Sequence, residues 1–341
     1  MVSPLPLRVV FMGTPSFAVP TLEALLGSVH HVVAVVTQPD RPKGRGQRTM
    51  DGPVKARALQ AGLPVHQPAT LKDPAVLDWL ASLRADLGVV AAYGKILPEA
   101  VIRTPRLGMI NVHASLLPKY RGAAPIQRAV AAGETETGVT IMRVVKALDA
   151  GAMLATVRRR IGPDDTAAEV EQDLARLGAA LLVETVDRMS IGPIDEPAQD
   201  DRLATYASRL TKEEGLVDWS RPAREIHDRV RGLSPWPHAY SYLAGRRLIL
   251  LRSAVLDDVD AEAGAGSPPA PPGAIVSARG DELRVATGRG HLALREVQAE
   301  GKRPMPVREF LAGHPVPPGS RFSSSPGGPS TPAPADSPHA P

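Results

Sequence analysis

Two hydrophobic rhythms run through the chain. Over the first 190 positions, short apolar runs alternate with stretches in which apolar residues return every three or four positions. The runs at 7–12, 31–37, 85–91 and 109–112 are too short for helices and are predicted as strands buried on both faces. The stretches at 20–26, 54–61, 74–83 and 124–132 are predicted as helices, with Pro125 suited to a first helical turn. Residues 139–145 and 153–159 form a predicted hairpin. A long amphipathic helix follows over 166–189, with Asp164, Asp165 and Thr166 as capping candidates. Strands alternating with helices in this way predict an α/β domain over 1–190, a mostly parallel sheet with helices on both faces.

The rhythm changes after a polar connection at 191–206. One helix is predicted over 221–232. Short strands then dominate, at 238–243, 246–254, 273–278, 282–286 and 291–297, several of them separated by glycine-containing turns. Five such strands predict a small β-barrel over 207–313, interrupted by a Gly/Ala/Pro loop at 257–272. From 314 to 341 the chain has 9 prolines in 28 residues, with Ser and Gly, and this tail is expected to be disordered.

Composition narrows the chemistry. At 43% hydrophobic and 22% charged, the 341 residues are those of an ordinary folded protein, and the absence of cysteine excludes disulfides, a thiol nucleophile and thiolate metal sites. No apolar stretch is long enough to span a bilayer, and residues 1–7 lack the features of a signal peptide. A cytoplasmic location and a monomer are expected. The formal charge of +4 is modest, but residues 38–57 alone carry +4: six basic residues (Arg41, Lys43, Arg45, Arg48, Lys55 and Arg57) against Asp40 and Asp51. Prolines and glycines exclude a regular helix through its first half, so the charges are expected on a loop beside the active edge of the sheet. Such a loop is either a solvated surface or a contact for the phosphates of a nucleic acid. It holds no aromatic residue, so backbone contacts rather than base stacking are expected.

Asn111-Val112-His113 is the sharpest local pattern. Residues two apart in a strand share a face, so Asn111 and His113 project together at the strand's carboxyl end. Asn can donate to a developing oxyanion, and His can move a proton near neutral pH. Asp149 lies in the hairpin turn 147–151. On pattern alone it is a turn residue, or else a carboxylate placed to orient an imidazole. Residues 11–19 hold one glycine, Gly13, where a dinucleotide site would show three. They read as a tight turn or a ligand-lining segment, and a nucleotide-dependent oxidoreductase is disfavoured.

Several ordered segments resemble the methionyl-tRNA formyltransferase family. They are 111–118 (N-V-H-A-S-L-L-P), 120–126 (Y-R-G-A-A-P-I), 11–17 (F-M-G-T-P-S-F), 37–46 (T-Q-P-D-R-P-K-G-R-G) and 93–98 (Y-G-K-I-L-P). Residues 138–142 (G-V-T-I-M), 148–151 (L-D-A-G) and 235–237 (P-W-P) complete the set, so the resemblance covers 7–313. It implies a Rossmann-like catalytic domain followed by an OB-like barrel lying along a tRNA. It also implies formyl transfer from 10-formyltetrahydrofolate, a cosubstrate, to the amino group of methionyl initiator tRNA, with no metal. The family's catalytic residues fall on Asn111, His113 and Asp149. Its folate-contacting residues fall on Ser115, Leu116, Leu117 and Pro118, and its tRNA-contacting basic loop on Arg41, Lys43, Arg45 and Arg48. Gln47 departs from a position often basic in the family. The alternatives are a related formyltransferase acting on a small amine, which would not need the basic loop, and a non-catalytic tRNA-binding protein, which would not need Asn111, His113 and Asp149 together.

Overall fold

The computed structural model describes residues 3–40, 42–43, 48–256 and 270–326, with only the backbone described at 42–43 and 48–49. The chain divides into two compact units. The first comprises residues 1–126, 135–161 and 169–209; the second comprises 127–134, 162–168 and 210–341.

In chain order, the elements up to the middle of the protein are β1 (Arg8–Gly13), α1 (Val19–Leu26), β2 (His31–Val36), β3 (Pro42–Lys43), β4 (Arg48–Thr49), α2 (Pro53–Gln60), β5 (Val65–His66), α3 (Pro74–Ser82) and β6 (Leu87–Ala91). There follow α4 (Glu99–Arg103), β7 (Met109–His113), β8 (Arg121–Gly122), α5 (Pro125–Ala131), β9 (Glu136–Arg143), β10 (Met153–Arg160), α6 (Ala167–Ile191) and β11 (Tyr206–Ala207). The main sheet has the order β10-β9-β7-β6-β1-β2-β5. Its strands from β7 to β5 run parallel, and β9 turns antiparallel to both β7 and β10. The unbroken apolar runs explain this: β1 and β6 are buried from end to end except at Arg8, as strands covered on both faces must be. Edge strand β10 alternates instead and carries Arg158, Arg159 and Arg160, charges that discourage further pairing.

Helix starts follow local chemistry. Pro53 and Pro74 open α2 and α3, where a missing N–H costs nothing, and the Asp73 carboxylate caps α3 by accepting from the Ala75 N–H at 3.0 Å. On α6, buried residues recur at Ala167, Val170, Leu174, Leu182, Val186 and Met189, the spacing of one helical face. Gly178 on that face lies directly over Val112 and Val139. The opposite face of the sheet presents Val10, Met12, Val36, Val90 and Met109 to residues of α3 and α4. From β1 the chain winds outward to β2 and β5, then returns to β6 and β7 on the other side. The carboxyl ends of β1 and β6 therefore flank the switch point where such sheets open a crevice. Gly13 belongs to packing there: a Cβ would meet Ala18 Cβ and the Ala91 carbonyl, each at 2.9 Å.

The second unit contains α7 (Ala223–Gly232), β12 (Ala239–Leu243), β13 (Arg246–Leu256), β14 (Ile275–Arg279), β15 (Glu282–Ala286), β16 (His291–Ala299), β17 (Met305–Pro306), α8 (Val307–Gly313) and β18 (Phe322–Ser323). The sheet order is β14-β15-β16-β13-β12-β18, all antiparallel, and the sheet curls around a core that includes Trp219, Ile226, Leu250, Leu294, Phe310 and Phe322. The predicted five strands are all present.

Two expectations change. Residues 320–323, expected in a disordered tail, belong to the sheet: β18 pairs with β12, the Phe322 N–H donates to the Gly273 carbonyl at 2.8 Å, and the Ile275 N–H donates to the Ser320 carbonyl at 3.0 Å. Residues 320–323 thus bridge the two ends of the curled sheet. Phe322 is buried, its ring stacked on Trp219 at 5.0 Å. Capping the sheet's open edges outweighs the proline-rich composition. The rest of the expected tail, 327–341, and loop residues 257–269 lie outside the described residues. The second change concerns the basic segment. Arg41, Arg45 and Gln47 lie outside the described residues, and Lys43 and Arg48 pair backbone to backbone across β3 and β4. Lys55 and Arg57 are not loop charges: they sit on α2, Lys55 paired with Asp40 and Asp51, Arg57 with Glu23.

Candidate active site

The site grows from the carboxyl end of β7. Because Val112 faces α6, Asn111 and His113 face the other way, on the side that carries Met109. Backbone ladders hold them on both sides, Asn111 opposite Val90 and Met142, His113 opposite Thr140. The Asn111 side chain is half-buried and its amide has no hydrogen-bond partner among the described residues. His113 is nearly enclosed. Its Nε2 lies 3.0 Å from the Tyr120 carbonyl oxygen. A carbonyl only accepts, so Nε2 carries the proton, and Nδ1 is the nitrogen left for chemistry.

Asp149 comes to this histidine from 36 residues downstream. Its Oδ2 lies 3.7 Å from His113 Nδ1, with the carboxylate only 15% exposed. That separation exceeds a direct hydrogen bond. It suits an electrostatic pairing, or a water or substrate atom between the two groups. The same Oδ2 accepts from the Gly122 N–H at 2.8 Å. Gly122 has φ 121°, and a Cβ there would approach the Ala207 carbonyl to 2.7 Å, so only glycine lets the chain pass at this point. Tyr120 and Asp149 themselves adopt φ of 60° and 46°, uncommon for residues with side chains and frequent at functional sites. The orientation of His113 is thus set by a backbone carbonyl, and Asp149 is anchored independently of it.

The segment Ser115, Leu116, Leu117 and Pro118 forms a compact loop after β7, with a cis bond at Leu117–Pro118. Thr140 on β9 stitches it: the Thr140 hydroxyl donates to the Ser115 carbonyl at 2.8 Å and accepts from the Leu117 N–H at 3.2 Å. Ser115 is fully buried and its hydroxyl donates to the Lys119 carbonyl at 2.6 Å, closing the loop on itself. Beyond β6, the Tyr93 carbonyl accepts from Thr14 Oγ1 and Gln38 Nε2 at 3.3 and 3.1 Å, tying together the segments that follow β1, β2 and β6. Burial pushes the Tyr93 phenol up to about 12, which keeps it neutral. Among the described residues no group of His, Asp and Glu is arranged to hold a metal ion.

The segment at 191–206, expected from its composition to be a polar connection, reaches this site. The Gln199 amide donates to the Asp149 and Gly151 carbonyls, both at 2.8 Å. Arg121 donates to Gln199 Oε1 and to Asp201. Tyr206–Ala207 pairs in parallel with Arg121–Gly122, and the Thr205 hydroxyl accepts from the Tyr120 N–H at 2.9 Å. No periodicity marks these residues, because each acts through long-range bonds that do not recur along the chain.

A doubly wound sheet bearing Asn, His and Asp at one carboxyl edge, followed by a curled antiparallel sheet, is an architecture with known counterparts. An N-formyltransferase from Helicobacter canadensis, solved with folinic acid and dTDP-3-aminofucose, superposes with a TM-score of 0.62 at 16% identity, covering 86% of this chain and 99% of that one. HypX from Aquifex aeolicus, solved with tetrahydrofolic acid, gives 0.60 at 16% identity over 90% of this chain and 47% of that larger protein, so the chain spans about half of it. These likenesses establish the fold. The formyl transferase family matches residues 7–186, its C-terminal domain family matches 209–315, and the chain belongs to the formyl transferases. Its similarity within the family is specific. A methionyl-tRNA formyltransferase of Trichlorobacter lovleyi is 48% identical over 309 residues, 91% of this chain and 95% of the relative. One of Methylococcus capsulatus is 48% identical over 308 residues, covering 90% and 97%.

Proposed function

We propose that the chain transfers the formyl group of 10-formyltetrahydrofolate to the free amino group of methionyl initiator tRNA, giving the formylated initiator for translation. The observation that carries this reading is near-half identity, sustained over almost the full length of proteins bearing that name. A site in which His113 and Asp149 converge beside an unpartnered Asn111 amide supports it. No helix among the described residues is long and apolar enough to cross a membrane. An enzyme acting on tRNA belongs in the cytoplasm.

In this mechanism the amine nitrogen attacks the formyl carbon and the carbonyl electron pair moves onto oxygen. The Asn111 amide and protonated His113 stabilise that oxyanion, each donor worth about 2.7–4 kcal/mol. Collapse breaks the bond from the formyl carbon to N10 of the folate. The attacking nitrogen loses a proton and N10 gains one. His113 Nδ1 gives its proton to N10 as that bond breaks and then takes one from the attacking nitrogen, so the histidine ends as it began, and the Asp149 carboxylate, 3.7 Å away, stabilises the imidazolium directly or passes the proton through water. The loop of Ser115, Leu116, Leu117 and Pro118 shapes the folate side of the crevice, with Ser115 as its internal brace. Arg41, Lys43, Arg45 and Arg48 contact tRNA phosphates, and the barrel unit adds a second surface along the tRNA.

A formylation assay tests the reading with three acceptors: methionyl initiator tRNA, glycinamide ribotide and an amino-sugar nucleotide. Transfer to the tRNA alone, weakening as salt rises, is expected. Transfer to a small amine instead would keep the chemistry and overturn the acceptor.

A further inference from the structure

We propose that Gln199 is the positioning residue of Asp149, with Arg121 locking its amide. The inference rests on the catalytic role proposed above for Asp149. The Gln199 side chain is saturated. Its two N–H bonds go to the Asp149 and Gly151 carbonyls, both at 2.8 Å, and its oxygen accepts from two Arg121 nitrogens at 3.0 and 2.8 Å. Arginine only donates and backbone carbonyls only accept, so the amide has one orientation compatible with all four bonds. Arg121 is itself fixed. Its side chain is 4% exposed and pairs with Asp201 at 2.6 Å, while its backbone sits in the β8–β11 ladder.

The arrangement grips the Asp149 turn at two levels. Gln199 holds the carbonyls on either side of Ala150, next to the left-handed backbone of Asp149 at φ 46°. Gly122, the neighbour of Arg121, holds the carboxylate through its N–H at 2.8 Å. Around this grip the 196–201 segment is sewn to the strands flanking the turn: the Met153 N–H donates to the Pro197 carbonyl at 3.0 Å, and Arg143 pairs with Glu196. The backbone from which Asp149 reaches toward His113 is therefore held by a glutamine 50 residues away. Gln199 touches no reacting atom. It acts through the turn, and through the turn alone.

The experiment is a double-mutant cycle on the full chain with Gln199→Leu, Asp149→Asn and the pair, followed by single-turnover formylation of methionyl-tRNA and by KM for both substrates. Gln199→Leu is expected to lower kcat on the order of 10²-fold, the cost of misplacing a catalytic group by about 1 Å, with both KM values unchanged. In the Asp149→Asn background the same substitution should cost nothing more, because the only route by which it acts is already cut. Full kcat in Gln199→Leu, or losses that multiply in the pair, would overturn the proposal. Gln199→Glu, which keeps the Arg121 contact and turns both donors into an acceptor, gives the same cycle if the leucine variant folds poorly. Normal turnover by Asp149→Asn would remove the role of Asp149 itself. Loss in Asp149→Asn beside full activity in Gln199→Leu would sink only the inference about Gln199.

Discussion

Asn111 and His113 stand on a strand; Asp149 stands in a turn, and the two halves of the site are held by different physics. The strand half is placed by repetition. β7 is flanked by β6 and β9, its ladder bonds recur every second residue, and Met109, Ile110 and Val112 bury it from both faces. No single neighbour decides where Asn111 points. The turn half is placed by a few unique bonds: the Gly122 N–H on the carboxylate and the Gln199 amide on the backbone. Cooperative ladders tolerate damage around the functional side chain, whereas a turn held by a few unique bonds fails through residues far from it in sequence.

The largest effect should come from the strand half itself. Asn111→Ala and His113→Ala are each expected to cost about 10²–10³ in kcat, with tRNA affinity and thermal stability close to those of the parent. Rapid-quench formylation beside a filter-binding titration separates the two quantities. Retained turnover in either variant would leave the strand half with no chemical role and erase the comparison.

A smaller effect is expected at the junction of the halves. Thr140→Val keeps the shape but strands the Leu117 N–H and the Ser115 carbonyl in a buried setting, a cost of about 1–3 kcal/mol in denaturant unfolding. KM for the formyl donor should rise because the Ser115, Leu116, Leu117 and Pro118 loop loosens, while kcat changes far less than in His113→Ala. A fall in kcat equal to that of His113→Ala at unchanged stability would mean that the loop belongs to the catalytic half.

The smallest effect lies at the neck of the basic segment, a third region, where Lys55 and Gln67 meet Asp40. The hydrogen bond from Lys55 holds the Asp40 carboxyl below its ordinary value of 3.8, helped by Gln67. A depressed folded-state pKa stabilises the fold above the unfolded value and loses that contribution as pH falls through the folded one. The stability difference between the parent and Asp40→Asn should hold steady above about pH 5 and close in stronger acid. An unfolding series across pH 2–7 measures it. A gap that persists at the acid end would show that Asp40 acts through packing rather than charge.

Much of the site is legible in the amino-acid sequence because it obeys a period. Two polar residues spaced by one in an otherwise apolar run have to share a face, and a strand ending in a parallel sheet has to end at the crevice. The hairpin around Asp149 is visible in the same way, as two strands with a turn between them. Gln199 is not, since prolines and acids surround it and its two acceptors lie 48 and 50 residues away. The seam at 320–323 hides in a proline-rich stretch, where composition outvotes a single buried Phe322. Helix α8 escapes the strand-dominated pattern of its unit although its residues carry a helical signal: Val307, Phe310 and Leu311 at helical spacing, after Pro306 and before His314.

By itself the sequence determined the doubly wound sheet, the curled antiparallel sheet after it, the family and the three side chains proposed for the chemistry. Each of these follows from local periodicity or from motifs whose residues lie close along the chain. Only the tertiary structure decided which nitrogen of His113 meets the Tyr120 carbonyl and which lies near Asp149, how far Asp149 stands from it, and that residues 196–207 and 320–323 belong to the architecture. These depend on a handful of hydrogen bonds between segments remote in sequence. Their strength comes from burial and from carbonyls and N–H groups that every residue shares, so nothing in side-chain identity announces them.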